Sequence, residues 1–186
     1  MLQEKTGGNY MQQVKVKFKG DLLKKSILRK VVSTQTRKLE KYAKQELHEM
    51  AKRVAGRYEN DTYNLQDSLV WCLYYDGKLK SYGFYGGGRA SKESYLHAFG
   101  YPTPVPVHGR EEAMGFVTTY KPQSTSGWEC VWAATAPYAG YLEGGFTMKH
   151  SGRRIQFYVI TQRYDHIKNV FEPIGHVDYE INVPIY

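Results

Sequence analysis

Cysteine is scarce in this 186-residue chain: Cys72 and Cys130 are the only two, and both stand in apolar strings. That excludes a disulfide scaffold and a cysteine-based zinc module. Long hydrophobic runs are missing as well, and no stretch approaches the roughly 20 consecutive apolar residues of a membrane span. The opening Met-Leu-Gln-Glu-Lys has no apolar signal-peptide core, so a reducing interior is the expected compartment and no membrane partner is expected. Repeats and low-complexity tracts are absent. With 41% hydrophobic and 24% charged residues, the balance is globular and argues against disorder. The length suits one domain spanning 1–186.

Catalytic and metal signatures are also lacking. His48, His97, His108, His150, His166 and His176 are scattered, with no pair at ligand spacing. There is no Gly-x-Ser-x-Gly elbow, no phosphate loop ending in Lys-Ser/Thr and no dinucleotide fingerprint. Gly86-Gly87-Gly88-Arg89 offers amides to an anion but lacks that Lys-Ser/Thr, and it reads better as a loop. Glu111-Glu112 reads as a solvated turn. The expectation is a non-enzyme with no cofactor and no metal.

What the chain does have is positive charge, unevenly placed. The total is +8, yet 15 of the 26 Lys and Arg and only 5 of the 18 Asp and Glu fall within the first 58 residues. That segment carries +10 and the remainder −2. Aromatics run the other way: 17 Tyr, 7 Phe and 3 Trp crowd the later two-thirds, and Tyr suits half-buried surfaces and interfaces.

Residues 14–19 alternate Val14, Val16 and Phe18 with Lys15, Lys17 and Lys19, which predicts a one-sided strand. Gly20-Asp21 then opens a helix over 21–58, with apolar residues at steps of three and four. Its other face carries Lys24, Lys25, Arg29, Lys30, Arg37, Lys38, Lys41, Lys44, Lys52 and Arg53. The β-branched stretch 31–36 is its weakest part. Asp76-Gly77 between two β-rich runs predicts a hairpin over 68–85. The first strand of that hairpin is apolar on both faces and needs cover on both, from the helix on one side and from an insertion or another chain on the other. Residues 86–127 read as a loop-rich insertion, with a short helix over 91–99 and a strand over 115–120. Strands are expected at 128–134 and 155–161, and a helix at 165–171. The last strand, Val177 onward, places Asp178 and Glu180 on its polar face. Opposite charges favour cross-strand pairing, so the two terminal strands are expected to be neighbours. The fold class is α+β: a long basic N-terminal amphipathic helix packed on a mostly antiparallel sheet.

Two motifs carry a resemblance. The first is Asn60-Asp61-Thr62-Tyr63-Asn64-Leu65-Gln66-Asp67-Ser68-Leu69. The second is Ala136-Pro137-Tyr138-Ala139-Gly140-Tyr141-Leu142-Glu143-Gly144-Gly145. Placed after a Lys/Arg-rich helix, and in this order, they resemble the tail-completion family of long-tailed bacteriophages, also called minor tail components or head–tail joining proteins. Thr62, Leu65, Ser68 and Leu69 match its first motif, in which Tyr63 stands where the family usually has Gly. Pro137, Tyr138, Ala139, Tyr141, Leu142, Glu143 and Gly144 match the second, without the aromatic usual between Glu and Gly. The chain also ends on a strand where relatives tend to end on a loop and helix. The resemblance implies a virion subunit, assembled in the host cytoplasm, that closes into a ring of six or twelve copies at the neck. Its partners would be copies of itself and connector, neck or tail-tube proteins, with transient contact to exiting DNA. A second reading is a non-specific nucleic-acid-binding protein that uses the basic helix.

Overall fold

The computed structural model describes residues 12–18, 25–57, 63–86, 94–95, 106–147, 151–156, 158–173 and 175–181. In chain order the elements are β1 (Gln12–Phe18), α1 (Lys25–Arg57), α2 (Asn64–Asp67), β2 (Leu69–Tyr75), β3 (Lys78–Phe84), β4 (Ser94–Tyr95), β5 (Pro106–Val107) and α3 (Gly109–Thr119). There follow β6 (Trp128–Ala134), α4 (Ala139–Gly144), β7 (Phe146–Thr147), β8 (Arg154–Ile155), a 3-10 turn (Thr161–Arg163), α5 (Tyr164–Phe171) and β9 (Gly175–Ile181). This is an α+β fold, with the long helix packed on an antiparallel sheet of order β3-β2-β6-β1-β9.

Alternation along β2 and β6 splits the core in two, because successive side chains leave opposite faces of a strand. Leu69, Trp71, Leu73, Cys130 and Trp132 join Ala43, Leu47, Met50 and Ala51 of α1 and Ile167 and Phe171 of α5. On the other face Val70, Cys72, Tyr74, Val131 and Ala133 meet Ala113, Phe116 and Val117 of α3. Trp132 is fully buried, and its indole Nε1 donates to the Ala43 carbonyl at 3.0 Å, which pins α1 to the sheet. The two cysteines lie in opposite layers. Burial pushes the Cys72 thiol up to about 12 and Cys130 well above its ordinary value, so both behave as small core side chains.

Helix α1 runs unbroken through 31–36. There the Ser33 and Thr36 hydroxyls donate back to the Lys30 and Val32 carbonyls, at 3.0 and 2.7 Å, so they compete with no external partner. The β2–β3 hairpin turns at Asp76 (φ 48°) and Gly77 (φ 70°), the two positive φ values a type I′ turn requires. Asp76 then locks the tip to the start of β6, donating from its amide to Gly127 O at 2.9 Å and accepting from Gly127 N at 2.8 Å.

Five expectations need correction. The stretch 115–120 is not a strand: it lies mostly in α3, whose buried face covers the second side of the sheet, so the insertion supplies the cover of the second core layer. Glu111 and Glu112 sit in the first turn of that helix, where carboxylates suit the positive end of the dipole, and not in a loop turn. The 155–161 strand reduces to Arg154–Ile155, paired with Phe146–Thr147. Lys15, expected on a solvated face, is 7% exposed, because the chain after α3 covers it and places its Nζ 5.6 Å from the Tyr120 ring centroid. Of the 91–99 stretch only Ser94 and Tyr95 are described, as a strand paired with Val107 and Pro106.

Candidate functional site

The two motif segments, some 70 residues apart, meet at one end of the sheet. Helix α2 and Ser68 lead into β2, while Thr135 and α4 leave the adjacent β6. The Ser68 carbonyl accepts from Thr135 N at 3.1 Å and from Thr135 Oγ1 at 3.0 Å. Tyr138 hydrogen-bonds the Leu65 backbone, and burial raises its phenol above the ordinary range. Ser68 Oγ donates to Leu65 O at 2.8 Å. Ser68, Leu65, Ala139, Leu142 and Glu143 are buried, and Pro137, Tyr138, Tyr141 and Gly144 are half-buried. Thr62 lies outside the described residues. Tyr63, where the resembled motif has glycine, has φ 56°, the left-handed region that favours glycine. Thr135→Val keeps the shape and removes one of two donors to Ser68 O. It is expected to cost about 1 kcal/mol in urea unfolding.

Glu143 is 1% exposed and caps the chain after β8. Its Oε1 accepts from Ile160 N and from Thr161 N at 3.3 Å, and its Oε2 accepts from Thr161 Oγ1 at 2.6 Å. That explains the lost 155–161 strand, since the amides of Ile160 and Thr161 go to a carboxylate and not to a ladder. Glu143 holds backbone in place, with no cationic partner among the described contacts.

The basic face divides along α1. Lys30, Arg37, Lys38, Lys41, Lys44 and Lys52 are exposed. Only the backbone is described at Lys25, Arg29 and Arg53, and Lys24 lies outside the described residues. From Lys30 to Tyr42 no side chain is fully buried, over roughly 20 Å at 1.5 Å per residue. The helix's buried acid, Glu46 at 3% exposure, faces the opposite way. It takes a two-pronged bond from Arg163 at 2.8 and 2.9 Å, with His166 Nε2 at 3.2 Å. The terminal strands β1 and β9 are hydrogen-bonded neighbours. Lys15 stands opposite Asp178, Lys17 opposite His176 and Gln13 opposite Glu180. Only the backbone is described at Lys17 and Glu180, and Lys19 lies outside.

Several positioning residues escaped the sequence reading. Gly109, at the start of α3, donates its amide to Asn64 Oδ1 at 2.9 Å. Arg110 donates from Nη2 to the Tyr85 and Gly86 carbonyls at 3.0 and 3.2 Å, lies 4.3 Å from the Phe84 ring centroid, and comes within 3.8 Å of Asp67. Beside this junction opens a pocket of about 580 Å³. Lys41, Lys44, Gln45, Leu47 and His48 of α1 form one wall, and Tyr63, Gln66, Asp67, Phe84, Tyr85 and Gly86 the other. The signal for the α1 wall was the 41, 44, 45, 48 spacing, one face of a helix. Among the described residues no group of three or more His, Cys, Asp or Glu is placed to hold a metal. The chain matches no family model, no curated protein and no solved structure.

Proposed function

We propose that this chain is a virion structural protein, a ring-forming tail-completion or head–tail joining subunit that links a phage tail to the head-proximal connector. The reading rests on the resemblance of the two motifs, and one observation carries it. Tyr63, the residue that departs from the first motif, holds the left-handed backbone that the motif's glycine would adopt without strain. The docking of that segment on the second motif supports the same reading, because a paired signature makes sense where two segments pack on each other.

The engagement of α1 supports assembly. Ala43, Leu47, Met50 and Ala51 anchor its later half. Its earlier described part leaves Val31 37% exposed beside Lys30, Arg37 and Lys38. A helix gains most of its stability from packing, so a stretch extending past its own core suits a neighbour's surface. The mechanism is geometric: ring closure sets the symmetry and bore of the channel through which DNA leaves. Mass photometry of the purified chain, alone and with neck and tail proteins, tests this. The expected result is a closed oligomer whose midpoint concentration rises at least tenfold in Lys30→Glu/Arg37→Glu/Lys38→Glu, with the melting temperature unchanged. A chain that stays monomeric with those partners overturns the proposal. The second reading draws on the same exposed cations and predicts DNA binding that weakens steeply with salt.

A further inference from the structure

We infer that the pocket between α1 and the α2–β3 wall is a binding site for a nucleotide unit: an aromatic base with a phosphate attached. Its volume, about 580 Å³, lies within the usual range for small-ligand sites. Three kinds of group line it, and each matches one part of that ligand. Lys41 and Lys44 sit one turn apart on α1, both exposed, and give two ammonium groups to a phosphate at the mouth. Tyr63, Tyr85 and His48 line it with aromatic rings, Tyr85 tilted on His48 at 5.5 Å between centroids, and stacking on such rings holds nucleobases without reading their identity. The Tyr63 ring is 42% exposed, carried on the φ 56° backbone. Gln66, 8% exposed, adds an amide for the N–H and O–H groups of a base or sugar.

The shared chemistry, base plus phosphate, could come from a free nucleotide or from a nucleotide within a strand. This inference stands apart from ring formation: either can fail alone.

Calorimetric titration of the full chain with dAMP, adenosine, inorganic phosphate, a ten-residue single-stranded oligonucleotide and an acidic Tyr-containing peptide tests it. The expected result is dAMP binding at least tenfold tighter than adenosine or phosphate. Tighter oligonucleotide binding would assign the site to a strand, and equal binding to the free nucleotide. Lys41→Glu/Lys44→Glu is expected to lower affinity at least tenfold. So is Tyr63→Gly, which removes the ring while relaxing the backbone, so that a folding defect is not the cause. Lys78→Glu, the same charge change at an exposed position on β3 outside the pocket lining, is expected to leave affinity within twofold. Loss in Lys78→Glu equal to that of the double variant, adenosine or phosphate binding as well as dAMP, preference for the peptide, or no binding by any ligand would overturn the inference. Mass photometry of the same variants separates this outcome from failure of the ring.

Discussion

Gly109→Ala is expected to destabilise the chain by about 3 kcal/mol or more, at the upper end for overpacking, and to lower its melting temperature by roughly 10 °C. The first atom of any side chain at this position would lie 2.0 Å from Asn64 O, 2.9 Å from Asn64 C and 3.0 Å from Ser68 N. All three are backbone atoms of α2 and its exit, so no rotamer change relieves the overlap. Helix α3 would have to retreat from α2, losing the bond from Gly109 N to Asn64 Oδ1 and loosening Phe116 and Val117 over β2 and β6. Gly115→Ala in the same helix is the matched control. Nothing stands within 4 Å of its added carbon, and alanine is the better helix former, so a gain of about 0.5–1 kcal/mol is expected. Thermal melts of the two variants check the pair; similar effects would mean that α3 does not press on α2.

The contrast shows what the sequence displays and what it hides. Period-two alternation made β1 and β9 legible, and the Asp76-Gly77 turn made β2 and β3 so, because those signals are local. Lys15 opposite Asp178 follows from charge patterning read at the two ends of the chain. Helix α3 was misread for a local reason: Phe116, Val117, Thr118, Thr119 and Tyr120 are β-formers. Their neighbour Ala113 reveals the helix, since 113, 116, 117 and 120 lie at helical spacing, and Ala113, Phe116 and Val117 are the buried residues of α3 together with Gly109. The 155–161 strand failed for a non-local reason, a carboxylate twelve or more residues earlier that takes the amides. Of the candidate residues, the motif positions Ser68, Tyr138 and Glu143 meet at or near the β2–β6 end. Among the described residues the basic face stays outside, and Lys41 and Lys44 of it reach the pocket. Asn64, Gly109 and Arg110 had no signature, because their role exists only where two distant backbones touch.

Glu143→Ala is expected to cost about 3 kcal/mol, whereas Glu143→Gln costs about 1 kcal/mol or less. Alanine strands the amides of Ile160 and Thr161 and the Thr161 hydroxyl, and each buried group without a partner costs about 1–3 kcal/mol. Glutamine keeps an acceptor for the amides. The pH dependence separates charge from geometry. Burial holds the Glu143 carboxyl above its usual 4.5, against the pull of the bonds from Ile160 and Thr161. Between 4.5 and that raised value the folded chain binds more proton than the unfolded chain. The contribution is therefore fully present below about pH 4.5 and is lost as pH rises through the folded value. Urea unfolding of the native sequence and Glu143→Gln across this window is expected to show the native chain losing stability relative to glutamine as pH increases. A relative gain would mean that the amide bonds outweigh burial, and that the motif's glutamate is kept for its charge. A relative loss, with glutamine near neutral in cost, means that it is kept for its shape and its acceptors.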